Sequence, residues 1–188
     1  VTDANGCEDL FITTINQPSE ILANISVTDV SCNGTIDGSA VVNPSGGSGL
    51  YNVVWFNSST MNSITGLQSG SYNVTVTDNT GCTTIKSPIT FIVGQPSTLT
   101  LNATVIVEPS CLGYANGSVD VTAIGGSLPY SYNWLDSFNT TISTDSFSIN
   151  LGAATYSVIV TDINGCFDTT SISLISPGAI IANVSTDS

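Results

Sequence analysis

The sequence predicts an all-β chain built as tandem antiparallel β-sandwiches, and three observations predict it. The composition is poor in helix formers and rich in Val, Ile, Thr, Tyr and Gly, which suit strands joined by tight turns. Apolar and polar residues alternate over short stretches such as Tyr72-Asn-Val-Thr-Val76, the pattern of a half-buried strand. Turn-forming residues separate these stretches at regular spacing. Together they favour sandwiches of the immunoglobulin-like or fibronectin-like type.

One motif, Val-Thr-Asp-x-x-Gly-Cys, occurs at residues 1–7, 76–82 and 160–166. It predicts the end of a strand, a tight turn and a cysteine at the start of the next strand, so the chain is a repeat. Proline-containing joints follow each copy, at Gln17-Pro18, Gln95-Pro96 and Ser176-Pro177. The predicted domains are therefore the last strands of a preceding repeat (1–17), two sandwiches of about 80 residues (18–95 and 96–177), and the first strand of a following repeat (178–188). Residue 1 already lies inside a repeat, so we expect a piece of a longer chain.

The elements of the two repeats follow in the same order. The first repeat predicts strands at 21–30, 39–42, 51–56, around 64–67, 72–77 and 82–93, with a polar loop at 31–38 and a glycine turn at 46–49. The second repeat predicts strands at 99–107, 118–123, 130–134, 147–151, 156–161 and 166–175. Its extra residues fall between Trp134 and Phe147, in a polar hairpin where insertions are tolerated.

Charge excludes several classes of function. The 188 residues include fourteen acids, one base (Lys86) and no histidine, for a net charge of −13. Nucleic acids and anionic membranes require clustered Lys or Arg, so neither is expected as a partner. No apolar run reaches ~18 residues, so no membrane insertion is expected either. Without histidine, and without a pair of carboxylates at a recurring spacing, we expect no catalytic residue, no enzyme activity and no cofactor.

Four aromatic residues are predicted to have structural roles. Trp55 and Trp134 each end an aromatic alternation on a central strand, which is the place of the core anchor in such a sandwich. Tyr72 and Tyr156 begin the penultimate strand after a turn, where a tyrosine corner ties its hydroxyl back to the preceding loop.

The recurring aspartates raise the question of a metal. Asp3, Asp78 and Asp162 occupy one position of the motif, and Asp78 and Asp162 are weak candidates for a calcium site at a domain junction. Calcium takes six to eight oxygen ligands, and no Asp-x-Asp cluster surrounds these residues. Asp37 is a poorer candidate because Asn116 replaces it in the second repeat. A side chain that bonds its own turn is the simpler interpretation.

The five cysteines occur in two contexts, Ser-Cys after the first strand (Cys32, Cys111) and Gly-Cys after the last hairpin (Cys7, Cys82, Cys166). Zinc-type CxxC pairs are missing, so disulfides outside the cytoplasm are expected. Two arrangements compete: pairs within repeats, Cys32–Cys82 and Cys111–Cys166, and an inter-domain pair, Cys32–Cys166. A first strand of ~10 residues covers roughly 33 Å, which separates the two contexts of one repeat and favours the inter-domain pair. The partner of Cys7 is expected outside this chain.

The ordered motifs resemble a known family. Ser-Cys-Asn-Gly-Thr-Ile-Asp-Gly-Ser-Ala, Gly-Gly-Ser-Gly-Leu-Tyr-x-Val-x-Trp and Ser-Ile-Thr-Gly-Leu-Gln-Ser-Gly-Ser-Tyr-x-Val-Thr-Val-Thr-Asp-x-x-Gly-Cys resemble the SprB-type repeat of giant cell-surface adhesins of gliding Bacteroidota. The resemblance implies export by type IX secretion, attachment at the outer membrane, and a stalk or filament role in adhesion or gliding. The second repeat departs from the pattern at Leu112-Gly113, at Ala153-Ala154 and in its longer hairpin.

The function expected from the sequence is a non-catalytic structural repeat of such an adhesin. Its partners would be neighbouring repeats, and surface polysaccharide or the cell-surface motility machinery. Two alternatives stay open. One is a carbohydrate-binding module that uses Tyr51, Tyr130 and the hairpins 57–63 and 135–146, and the other is an accessory domain of a secreted multidomain protein.

Overall fold

The computed structural model describes residues 1–84 and 87–181. The predicted all-β class is confirmed, since every regular element in these two ranges is a strand and none is a helix. Lys86 and residues 182–188 of the expected following strand lie outside the described residues.

The described residues of the first repeat form eight strands, arranged in one two-stranded and two three-stranded sheets. The sheet orders are β1-β4, β2-β3-β6 and β5-β7-β8. The strands are β1 (Ser19–Leu22), β2 (Ile25–Thr28), β3 (Gly38–Val42), β4 (Ser45–Gly47), β5 (Tyr51–Trp55), β6 (Ser63–Leu67), β7 (Gly70–Asp78) and β8 (Ile89–Val93).

The second repeat has a simpler pattern, with two sheets in the orders β13-β10-β9 and β12-β11-β14-β15. These pairings are antiparallel, as short connections between consecutive strands require. The strands are β9 (Thr100–Val107), β10 (Gly117–Ile124), β11 (Ser131–Leu135), β12 (Thr141–Ser143), β13 (Phe147–Leu151), β14 (Thr155–Thr161) and β15 (Phe167–Ser173).

Contacts group the chain into two compact units, one made of 1–27, 40–64 and 71–92, and the other of 28–39, 65–70 and 93 onward. The second unit includes the loop after the first strand because this loop bonds to residues beyond 93. Val30 N donates to the carbonyl of Gly94 at 3.2 Å, and Gly94 N donates to the Asp29 carboxylate at 2.7 Å. The domain boundaries at 18, 96 and 178 stay predictions.

Each unit has its own core. In the first, the Trp55 ring meets Phe91 edge-on, with centroids 5.7 Å apart. In the second, Trp134 is completely buried in a cluster that draws alternate residues from both sheets. The alternation arises because successive residues of a strand face opposite sides of the sheet. The buried members of this cluster are Val119, Val121, Trp134, Leu151, Tyr156, Val158, Val160 and Leu174.

Five sequence predictions differ from the structure. Of the strand predicted at 82–93, β8 covers only Ile89–Val93. The strand predicted at 21–30 is broken between β1 and β2 at Asn24, which has a φ of 47° and donates from Nδ2 to the carbonyl of Asn43 at 3.0 Å. The glycine turn predicted at 46–49 overlaps β4, which is Ser45–Gly47. The hairpin after Trp134 contains the extra strand β12. Residues 1–17, expected as the last strands of a preceding repeat, form only an isolated bridge between Thr2 and Glu8, because a strand needs a hydrogen-bonded neighbour and these residues are exposed.

Candidate functional site: the aspartate turns and the disulfide

Each aspartate of the repeated motif closes its own turn. Oδ1 of Asp162 accepts from the backbone N–H groups of Asn164 and Cys166, both at 2.9 Å, and Oδ2 accepts from Ser127 N at 2.8 Å. Oδ1 of Asp3 accepts from Asn5 N and Cys7 N in the same way, also at 2.9 Å. The carboxylate thereby fixes the backbone that presents the cysteine.

Asp78 accepts the most hydrogen bonds of the three. Its Oδ1 accepts from Thr80 N, Thr80 Oγ1 and Cys82 N, and its Oδ2 accepts from Ser48 N and Ser48 Oγ at 3.1 and 2.7 Å. The Ser48 hydroxyl, with that of Thr80, holds the pKa of Asp78 well below its ordinary range, because each bond stabilises the charged form.

These contacts give the weak calcium candidates, Asp78 and Asp162, a different role. Both carboxylate oxygens of each residue are oriented by N–H and O–H donors, which a cation would have to displace. Within residues 1–84 and 87–181, no group of three His, Cys, Asp or Glu side chains is placed to hold a metal ion.

The loop after the first strand is closed by a hydrogen-bond acceptor near the C-terminal end of the same loop. Ser31 N donates to Oδ1 of Asp37 at 3.1 Å, and the Thr35 hydroxyl donates to the same oxygen at 2.7 Å. Hydrogen bonds from Ser31 and Thr35 lower the pKa of Asp37 to about 2. In the second repeat Ser110 N donates to Oδ1 of Asn116 at 3.0 Å. An amide thus replaces the carboxylate without loss of the closing bond.

A disulfide joins the two kinds of turn. Cys32 and Cys166 are bonded, with Cα atoms 5.7 Å apart and a sequence separation of 134. Beside the bond, Asn164 Nδ2 donates to the carbonyl of Ser31 at 3.1 Å. On the other side of the loop, Asn33 Nδ2 donates to the carbonyl of Pro96 at 3.0 Å. Of the two arrangements expected from the sequence, the structure therefore contains Cys32–Cys166, and both cysteines belong to the second compact unit.

The alternative pairs within repeats, Cys32–Cys82 and Cys111–Cys166, are wrong. In the second repeat the Asp162 turn bonds Ser127, next to the end of β10 that pairs with the start of β9, whereas Cys111 follows the far end of β9. The eight residues of β9 span about 26 Å, and disulfide formation needs Cα atoms within about 7 Å. In the described part of the chain, Cys82 and Cys111 carry exposed free thiols, as does Cys7.

The aromatic candidates lie in the two cores. The indole N–H groups of Trp55 and Trp134 donate to the carbonyls of Met61 and Asp145 at 2.6 and 3.2 Å. The Tyr156 hydroxyl donates to the carbonyl of Gly152 at 3.1 Å, four residues back. Tyr72 packs between Phe56 and Phe91, with ring centroids 4.9 and 5.7 Å away.

Tyr51 and Tyr130, the residues of the carbohydrate-binding alternative, are half-buried. Their hydroxyls donate to the carbonyls of Gly46 and Gly125, the glycines of the preceding turn. Each phenol hydroxyl is therefore engaged in a hydrogen bond within the fold.

Sequence reasoning missed the residues that complete these turns. Ser48 and Ser127 reach the aspartates from another hairpin, and Ser31 contributes only its backbone to the contact with Asn164. The equivalence of Ser48 and Ser127 after the double glycine was a usable signal. No sequence signal predicts the role of the Ser31 carbonyl, because every residue carries a backbone acceptor.

Comparison with known proteins identifies the repeat. The SprB repeat family model matches the chain twice, over residues 24–60 and 103–138. The match at two segments agrees with the resemblance drawn from the motifs, which is confirmed. SprB repeats occur in cell-surface proteins. Among the described residues, no helical segment qualifies as a membrane span.

No curated protein sequence matches the chain. Solved structures that are similar to the chain include the following two. A C-terminal 282-residue fragment of intimin, solved with the intimin-binding domain of its translocated receptor, is 16% identical with a TM-score of 0.43, and the match covers 85% of this chain and 64% of the fragment. The Ig1 and Ig2 domains of DIP-gamma are 10% identical with a TM-score of 0.41, covering 87% of this chain and 99% of theirs. This chain thus spans less than two thirds of the intimin fragment.

Proposed function

Starting from a chain in which two segments match the SprB repeat model, we propose that it is a non-catalytic stalk segment of a large cell-surface adhesin, used in surface attachment or gliding. The parent protein is exported by type IX secretion and held at the outer membrane. Its contacts with surface polysaccharide or with the motility machinery lie outside these two repeats.

One observation carries the proposal: the covalent bond between the loop of the first repeat and the hairpin of the second. A recognition module needs side chains that are free to contact a ligand. A stalk needs continuity from one sequence repeat to the next, and a disulfide between a loop of the first and a hairpin of the second supplies it without enlarging the core.

The side chains that would serve a chemical function support the same proposal. The motif aspartates accept hydrogen bonds from their own turns, and the indole and phenol groups donate to nearby carbonyls. Each of these groups is therefore engaged in maintaining the fold, which is what a repeat with a mechanical role requires.

The test is a replacement in the parent protein of the bacterium that makes it. One strain has the two repeats deleted in frame, and another has them replaced by two immunoglobulin-like domains of equal length and unrelated sequence. We expect the replacement to attach to surfaces as the parent does, because a stalk contributes length. We expect the deletion to weaken attachment. A replacement that attaches as poorly as the deletion would contradict the proposal and favour recognition by these repeats.

A further inference from the structure

The loop that carries Cys111 is a second copy of the loop that carries Cys32. Thr35 N donates to the carbonyl of Cys32 at 3.2 Å, and Tyr114 N donates to that of Cys111 at 3.1 Å. The preceding serine N–H is bonded by Asp37 in one loop and by Asn116 in the other, as described above. Both loops therefore present a cysteine and a serine carbonyl on the same backbone frame.

The two loops differ in what lies against them. The Cys32 loop receives the hairpin 160–166, which contributes the disulfide and the bond from Asn164 to the Ser31 carbonyl. The Cys111 loop instead borders a groove of about 400 Å³, lined by Ser110, Cys111 and Leu112 on one side and by 177–180 on the other. The apolar side chains of this groove are uncovered, with Leu112 64% and Ile180 98% exposed.

The chain itself shows what kind of segment fits such a loop. Residues 1–7 repeat the sequence of the docked hairpin 160–166 at every position except one, Ala4 in place of Ile163. Their turn is closed by the same two bonds to the aspartate, Asn5 takes the position of Asn164, and Cys7 is exposed with a free thiol. A folded hairpin of this sequence therefore already has the shape that the Cys32 loop accepts.

From these observations we propose that the Cys111 loop is an acceptor site for a Thr-Asp-x-Asn-Gly-Cys hairpin of another copy of the repeat. The hairpin asparagine donates to the carbonyl of Ser110, and its cysteine forms a disulfide with Cys111. A loop cysteine then pairs with a hairpin cysteine in preference to another loop cysteine, so the linkage has a direction. This inference does not depend on adhesion, since a recognition module would carry the same acceptor.

The bond forms by thiol–disulfide exchange with a small disulfide oxidant such as oxidised glutathione. The Cys111 thiolate attacks the oxidant, releases one reduced thiol and forms a mixed disulfide. The hairpin thiolate then attacks the Cys111 sulfur and releases the second reduced thiol. Two protein thiols lose two electrons and two protons, and the oxidant takes up both.

The test uses the full chain with Cys82→Ser, so that Cys7 and Cys111 are the two thiols outside the native disulfide. The protein is held at high concentration in a glutathione redox buffer, where wrong disulfides exchange, and the products are mapped after chymotrypsin digestion without reduction. Random pairing gives a twofold excess of Cys7–Cys111 over Cys111–Cys111 peptides. We expect an excess of about twentyfold, and the factor of about ten above random corresponds to about 1.4 kcal/mol of docking. Pairing in random proportions would overturn the proposal.

Two further variants separate docking from thiol chemistry. In the same background, Asn5→Ala removes the donor for the Ser110 carbonyl and should lower the excess of Cys7–Cys111 several-fold. Asn16→Ala, an exposed asparagine outside the hairpin, is the matched control and should leave the excess unchanged. An excess that survives Asn5→Ala intact would contradict the docking geometry. Cys111→Ser should abolish every product longer than a dimer.

Discussion

The loops at Cys32 and Cys111 have the same turn and nearly the same closing bonds, yet one cysteine is bonded and the other is exposed. The first loop is closed by a carboxylate and the second by an amide, and both hold the serine N–H at about the same distance. The disulfide is therefore not what shapes the loop. The loop forms from its own hydrogen bonds, and its bonding state depends on whether a hairpin lies against it.

The largest effect should come from breaking the bonded loop. In the chain-entropy model, Cys32→Ser with Cys166→Ser lowers the free energy of unfolding by about 5 kcal/mol, because the bond closes a long loop. Urea unfolding, followed by Trp134 emission in a Trp55→Phe background, measures it. Cys82→Ser with Cys111→Ser, which removes two free thiols, should change the midpoint little. An equal loss in that control would contradict the assignment.

A smaller effect tests whether the glycine turns of both repeats are equally constrained. A Cβ on Gly46 would lie 1.9 Å from the Glu20 carbonyl oxygen, and one on Gly125 would lie 2.0 Å from that of Thr98. Both have positive φ, so Gly46→Ala and Gly125→Ala should each cost about 3 kcal/mol. Gly113→Ala has the same φ sign and no atom within 4 Å. It should cost only about 1 kcal/mol, as thermal unfolding of the three variants will show.

A matched pair of tyrosines should give a still smaller difference. Tyr51→Phe and Tyr130→Phe each remove one hydroxyl bonded to a glycine carbonyl, and each should lower the free energy of unfolding by about 1 kcal/mol. The same two variants test the carbohydrate-binding alternative on a glycan array. A stalk predicts no saturable binding before or after the change. Binding by the parent chain that is lost in both variants would favour recognition instead.

The smallest effect distinguishes the carboxylate loop from the amide loop. The folded-state pKa of Asp37 is lowered from 3.8 to about 2, so its contribution to stability is fully present above pH 3.8 and is lost as the pH falls towards 2. Asp37→Asn should remove this contribution, and its melting temperature should approach that of the parent chain as the pH falls. Asn116→Asp should introduce the same dependence in the second loop. Melting temperatures between about pH 2 and 6 measure both.

The sequence was sufficient for the fold class and the strand order because alternation and turn residues are local signals. The break in the first strand was not predictable in the same way. Asn24 adopts a left-handed φ and bonds Asn43, whereas the equivalent position in the second repeat, Ala103, lies inside the unbroken β9. Asparagine tolerates that conformation, but only the contact with a distant carbonyl selects it.

The aspartate turns show the same division between what a local sequence pattern predicts and what it does not. That Asp162 would bond its own turn follows from its spacing to Gly165, which is a local pattern. That Ser127 would complete the carboxylate depends on two hairpins meeting, which no local pattern contains. The disulfide was partly predictable. The length of the first strand argues against a partner within the same repeat.

The sequence separation of the disulfide has a consequence for a chain under tension. The residues between Cys32 and Cys166 form a closed ring, so a pulling force on the two ends passes through the sulfur atoms and bypasses them. Unfolding the strands inside this ring would therefore not increase the distance between the two ends of the chain. Reduction would release about 450 Å of extended chain. Whether the surroundings are oxidising or reducing therefore determines how far the chain can extend before the force acts on its covalent bonds.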